Sequence, residues 1–128
     1  GAVDFQMLPV DGGEEALFER VLRTSTEWGN SDQLMYVVGA TKADMLERVR
    51  AIVPDAFLLV PGVGSQNGSL EDVARFGLNS QCGLLVNASR SIIYADNTEA
   101  FANAAAAEAE ALRRQMAEIL IKNKLIEA

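Results

Sequence analysis

Three short apolar runs punctuate the chain: Leu34-Met35-Tyr36-Val37-Val38, Phe57-Leu58-Leu59-Val60 and Gly83-Leu84-Leu85-Val86. None alternates cleanly with polar residues, and continuous apolar runs of this length are the pattern of strands covered on both faces. Each run ends in small or turn-forming residues: Gly39-Ala40-Thr41, Pro61-Gly62-Val63-Gly64 and Asn87-Ala88-Ser89. Between the runs the period changes. Met45, Leu46, Val49 and Ile52 fall on one helical face, closed by Pro54. Ser69 stands three residues before Asp72 as a capping box, with Val73 and Phe76 apolar behind it and Gly77 as the stop. Thr98-Glu99 opens an Ala-rich stretch that predicts a long helix to about residue 123. Upstream, Leu17, Phe18, Val21 and Leu22 predict a further helix, with Glu14 and Glu15 in its first turn, where acidic side chains suit the helix dipole.

The order is therefore one helix followed by three βα units, with strand starts roughly 25 residues apart, which predicts an α/β fold with a parallel sheet. Three strands are few for such a sheet. Left open, they would expose two apolar edges, whereas a closed (β/α)8 TIM barrel takes about 250 residues. The segment Val3–Val10 is a candidate edge strand, but Pro9 and the glycines after it argue for a loop. The simplest expectation is that more barrel lies upstream of Gly1. The competing expectation is a small flavodoxin-like module, complete within this chain, that binds a phosphate without catalysis.

Composition narrows the chemistry. The 128 residues are 49% hydrophobic and 23% charged, as in an ordinary globular domain. No apolar run approaches the roughly 18 residues of a membrane span, and no basic segment at the N-terminus suggests a signal peptide. With 18 acidic against 11 basic residues the net charge is −7, so neither nucleic acid nor a membrane surface is an expected partner. The chain has no histidine, which removes Ser-His-Asp and Cys-His triads and the commonest zinc sites. No cluster of metal ligands and no paired carboxylates stand out, so no metal or cofactor is expected. The single cysteine, Cys82, cannot pair within the chain and points to a reducing compartment such as the cytoplasm. Trp28, Tyr36, Phe57 and the methionines are assigned to the core.

In parallel βα architectures ligands sit at the carboxyl ends of the strands. The loop after the second run, Pro61-Gly62-Val63-Gly64-Ser65-Gln66-Asn67-Gly68, has glycines that let backbone approach a ligand. It is neither a G-x-G-x-x-G fingerprint nor a P-loop. Gln66 is either a neutral amide donor to a phosphate oxygen or a solvated side chain on a surface connection. The loop after the third run carries Ser89, Arg90 and Ser91, with backbone amides near a helix start. Arg90 is either a bidentate phosphate ligand or a surface arginine. Thr41 and Lys42, after the first run, are assigned to a helix cap and a solvated side chain.

Taken together and in order, Val38-Gly39-Ala40-Thr41, Pro61-Gly62-Val63-Gly64-Ser65-Gln66-Asn67-Gly68 and Asn87-Ala88-Ser89-Arg90-Ser91-Ile92-Ile93-Tyr94-Ala95 resemble the last three strand ends of the long-chain branch of orotidine 5′-monophosphate decarboxylases. Asp4-Phe5-Gln6 is similar to the segment after that family's fifth strand. The resemblance implies that residues 1–120 form the C-terminal part of a (β/α)8 barrel, about three βα units. It implies that Gln66 and Arg90, with the amides of Ser89 and Arg90, hold the substrate phosphate, and that Pro61, Gly62 and Val63 line the pyrimidine and ribose pocket. Asn67 departs from the family's usual glycine. The resemblance further implies decarboxylation of orotidine 5′-monophosphate in pyrimidine biosynthesis without metal or organic cofactor, and a homodimer. The lysine–aspartate network of the reaction has no matching motif here, so no catalytic residue is expected in this chain, and an N-terminal half of the same barrel is the expected partner. Residues 121–128 are expected to continue the last helix without a stop signal, or to link to a following domain, since the tail is similar to the opening helix of the phosphoribosyltransferase of bifunctional UMP synthases.

Overall fold

A computed structural model describes residues 2–64 and 69–127. The elements follow in the order α1 (Val3–Gln6), α2 (Leu17–Ser25), β1 (Tyr36–Val37), α3 (Met45–Ile52), β2 (Leu58–Pro61), α4 (Leu70–Gly77), β3 (Leu84–Asn87), α5 (Ser89–Ile93) and α6 (Phe101–Lys122), with a 3-10 turn at Ala40–Lys42. The three strands form one parallel sheet in the order β1-β2-β3. Tyr36 pairs with Leu58, which pairs with Leu84, and the ladder ends with Pro61 opposite Asn87.

Helices α3 and α4 form where apolar spacing and capping predict them. The Ser69 hydroxyl accepts the Asp72 N–H at 3.2 Å, so α4 starts at its cap. Apolar spacing puts Leu46 and Val49 of α3, and Leu70, Val73 and Ala74 of α4, on buried faces. They pack on Leu58, Val60 and Leu84 of the sheet, and Leu46, Leu58, Val60 and Val73 are completely enclosed. Leu112, Met116 and Ile119 bring α6 against this core.

Four expectations need correction. The strands are not covered on both faces. Leu58, Val60 and Leu84 face the helices, but their neighbours point the other way, leaving Val37 70% and Leu85 48% exposed. Side chains alternate across a strand, so Val37, Leu59 and Leu85 share this open apolar face. A flavodoxin-like module complete within this chain would need helices on both faces of its sheet, and among the described residues nothing covers this one. Second, α2 begins at Leu17, so Glu14 and Glu15 precede it, and Glu19 is the acidic residue of its first turn. Glu19 accepts the Ala16 N–H, while Glu15 takes Arg20 and Arg23 as partners. The preceding segment is neither an edge strand nor a plain loop. It forms α1 and then a single antiparallel bridge from Pro9 to Ala16.

Third, the last helix does stop. Lys124 takes φ +59 and its N–H bonds to the Ile121 carbonyl, while the Leu125 N–H reaches back to the Leu120 carbonyl at 2.9 Å. This is a Schellman closure with a lysine in the position that glycine usually takes, and the Asn123 side chain adds a bond to the Ile119 carbonyl. A lysine carries no compositional mark of a stop, so the apolar pattern alone overran it. Fourth, Trp28 is 72% exposed and Met35 53%, not core. Trp28 instead lines a groove of 890 Å³ with Phe5, Leu17, Val21 and Val37, beside the edge of β1 that pairs with no strand among the described residues.

Candidate functional site

The carboxyl ends of the strands carry the loops singled out by the sequence. At β1, Gly39 leads into the 3-10 turn, where Ala40 is buried. At β2, Pro61 is half-buried, and the chain then needs two left-handed glycines, Gly62 at φ +98 and Gly64 at φ +81, to leave the strand sharply. Val63 between them turns its side chain into the core, with 4% exposure. Gln66 lies outside the described residues.

At β3 the strand passes through Asn87 and the buried Ala88 into α5, a helix of five residues. Ser89 and Arg90 are both exposed at its start. The N–H groups of Ser89, Arg90 and Ser91 have no backbone acceptor among the described residues, as the first turn of a helix requires. Arg90 makes no ion pair among the described residues, although the chain is acidic and Arg20, Arg23, Arg48, Arg113 and Arg114 are each paired with a carboxylate. The Ser89 hydroxyl donates to Asn87 Oδ1 at 2.8 Å, and the Ser91 hydroxyl donates to the Ala88 carbonyl at 3.2 Å.

The two loops meet. Pro61 and Asn87 are partners in the ladder, and a Cβ placed on Gly64 would lie 3.3 Å from Ser91 Oγ. Gly64 therefore lies against the first turn of α5, one residue from Arg90. An uncompensated guanidinium, free backbone amides and a glycine-rich backbone at the strand ends form a site suited to an anion with several oxygens. Among the described residues, no group of His, Cys, Asp or Glu is arranged to hold a metal ion.

Sequence reasoning missed the other end of the sheet. There the half-buried Arg50 bonds five backbone carbonyls: Gly77 at 2.7 Å, Val53 at 3.2 Å, Pro54 at 3.3 Å, Ala56 at 2.5 Å and Gly83 at 2.8 Å. Burial pushes its pKa below the ordinary arginine value. One side chain thus ties the ends of α3 and α4 to the starts of β2 and β3. Its position on a helix surface in the sequence gave no signal of this. Arg48 is likewise clamped, with two nitrogens on Glu19 at 2.8 and 2.6 Å and its guanidinium over the Phe18 ring.

No protein-family model matches the chain. Curated relatives do. An orotidine 5′-phosphate decarboxylase of Porphyromonas gingivalis is 66% identical over 126 residues, covering 98% of this chain and 45% of the relative. Another, from Bacteroides fragilis, is 58% identical over 120 residues, covering 94% of this chain and 43% of the relative. The chain thus spans less than half the length of the curated relatives it matches. Among solved structures, Leishmania donovani OMP decarboxylase superposes with a TM-score of 0.74 at 32% identity, over 93% of this chain and 44% of that one. The UMP synthase of the same organism gives 0.72 at 35% identity, over 89% and 25%. Three parallel βα units with an open inner face are what part of a (β/α)8 barrel looks like, and in sequence and in fold the chain is similar to the orotidine 5′-phosphate decarboxylases, matched along nearly all of its own length and under half of theirs.

Proposed function

We propose that this chain supplies the phosphate-binding loops of an orotidine 5′-monophosphate decarboxylase, the enzyme that converts orotidine 5′-monophosphate to UMP and CO2. The observation that carries the reading is the meeting of the two strand-end loops, with Gly64 against Ser91 and Asn87 opposite Pro61. Identity of 66% to a curated decarboxylase across the same loops supports it. Arg90 holds the phosphate together with the amides of Ser89 and Arg90, and Gln66 grips it from the glycine loop. Pro61, Gly62 and Val63 form the wall toward the pyrimidine and ribose. Val63 serves through its backbone, because its side chain is in the core.

The proton-transferring lysine and its aspartates belong to an N-terminal half of the same barrel, which covers the open face of Val37, Leu59 and Leu85. Residues 1–120 belong to the barrel and 121–128 lead out of it. The assembled enzyme is a homodimer in a reducing compartment such as the cytoplasm, and works without metal or organic cofactor. A phosphate grip remote from C6 still contributes to rate, since binding energy from non-reacting parts of a substrate can be realised in the transition state through loop closure.

Complementation tests this. Loss of orotidylate absorbance is followed with this chain alone, then with the N-terminal half of the Porphyromonas relative added or fused. The expected result is no turnover alone and turnover with the partner. Turnover by the chain alone would show that the proton donor lies within it. In the fused enzyme Arg90→Ala removes a charged bidentate contact and is expected to lower kcat/KM about 100-fold. Unchanged efficiency would take Arg90 out of the site.

A further inference from the structure

Asn87 was not singled out by the sequence, yet it closes the ladder at the mouth of the open sheet face. Its position on that face follows from strand alternation. Leu84 is buried against the helices, Leu85 is exposed on the opposite side, Val86 turns back, and Asn87 returns to the side of Leu85. Pro61, its ladder partner, stands beside it by the same count along β2. Asn87 is therefore the one polar side chain among the described strand residues on this face, set at the carboxyl end where the two loops meet.

Its orientation is fixed as well. The Ser89 hydroxyl donates to Oδ1 at 2.8 Å, which uses the carbonyl end of the amide and turns Nδ2 away from Ser89. Nδ2 carries two N–H donors and has no acceptor among the described residues. The same bond occupies the Ser89 proton. The hydroxyl then presents lone pairs, not a donor, so Ser89 serves an anion through its backbone N–H alone.

Resting on the phosphate-site reading above, we propose that Asn87 is a further ligand-binding residue, whose Nδ2 donates to an oxygen of the phosphate monoester while Ser89 holds the amide in that orientation. The pair divides the work: the serine hydroxyl fixes the amide, and the amide supplies the donors that a dianion needs. A carboxylate at position 87 would keep the acceptor for Ser89, keep the volume, and replace two donors with a negative charge.

The experiment uses the fused enzyme of the complementation test and measures dissociation constants for UMP and for uridine, which differ by the phosphate alone. Asn87→Asp is expected to weaken UMP by about tenfold or more, the loss of a donor to a charged group, and to leave uridine within about twofold. Asn87→Ser, a neutral and smaller change that protects against a folding defect in the first variant, is expected to weaken UMP less than Asn87→Asp does. Ser89→Ala, which frees the amide to rotate but removes no donor, is expected to cost UMP only a few-fold. Equal losses for UMP and uridine in Asn87→Asp, or none, would overturn the assignment of Asn87. Arg90→Ala separates the two levels of the argument. If it keeps the full preference for UMP over uridine, the phosphate-site reading itself fails. If it loses that preference while Asn87→Asp keeps it, only the role of Asn87 is wrong.

Discussion

Replacing Arg50 with methionine would keep most of the side-chain stem and remove only the guanidinium. Five backbone carbonyls then lose a charged donor, and three of those bonds, to Gly77, Ala56 and Gly83, are short and partly buried. A hydrogen bond to a charged group contributes about 1.5–3 kcal/mol net. The five contacts share one cation, however, and its desolvation, visible in the lowered pKa, offsets part of the gain. Counting the three short bonds and allowing for that offset gives a loss of about 3–5 kcal/mol, a large share of the roughly 5–15 kcal/mol that holds a domain together. Denaturant unfolding followed by circular dichroism measures it, as a lowered midpoint with an unchanged slope. Arg50→Lys should recover only part of the loss, because an ammonium has three donors and no planar fork. A loss under about 1 kcal/mol for Arg50→Met would refute the reasoning, since it would mean that water replaces the guanidinium at these carbonyls without penalty.

Three further outcomes follow from the same structure. Gly83→Ala puts a Cβ 2.5 Å from Asn79 Cγ and 2.6 Å from Arg50 Nη2 in a residue at φ +66, and should cost about 2 kcal/mol or more; because it displaces Arg50, its effect should be less than additive with Arg50→Met in a double-mutant cycle. Ser69→Ala removes the cap on α4 and should cost about 1 kcal/mol, seen as a lower thermal midpoint. Stability should fall as acid is added, because Arg48 holds the Glu19 carboxyl below its ordinary value and Arg113 with Arg114 holds Glu110 down to about 2. Groups with depressed pKa values favour the folded state above their unfolded pKa of about 4.5 and lose that contribution as pH drops toward the folded value. Glu19→Gln should flatten the fall in midpoint as pH drops below about 4.5, and an unchanged slope would show that the Arg48 pair is not felt.

The apolar runs at Phe57–Val60 and Gly83–Val86 located β2 and β3 to within a residue, and Ser69 with Asp72 marked the start of α4. These signals are local: a run of large apolar side chains or a cap acts within a few residues of itself. The same local signals failed at β1, where only Tyr36 and Val37 pair, because a strand's length depends on how much neighbour it has. They failed again at Lys124, where a turn is set by backbone bonds that no side chain advertises.

For the candidate site, the sequence alone named Arg90, Ser89 and the glycine loop, since strand ends in parallel architectures are where ligands collect. It left open whether two loops separated by the whole of α4 touch at all. Only the parallel register of β2 and β3 decided that, by setting Pro61 opposite Asn87 and Gly64 against Ser91. Arg50 and Asn87 show the same division. Each looks like an ordinary polar residue along the chain, because its role lies in partners that are distant in sequence, or on a face of the sheet that exists only once the strands are paired. Composition and periodicity determined which segments form helices and strands. Pairing across the sheet determined which side chains share a surface, and that is a property of contacts that sequence neighbours do not contain.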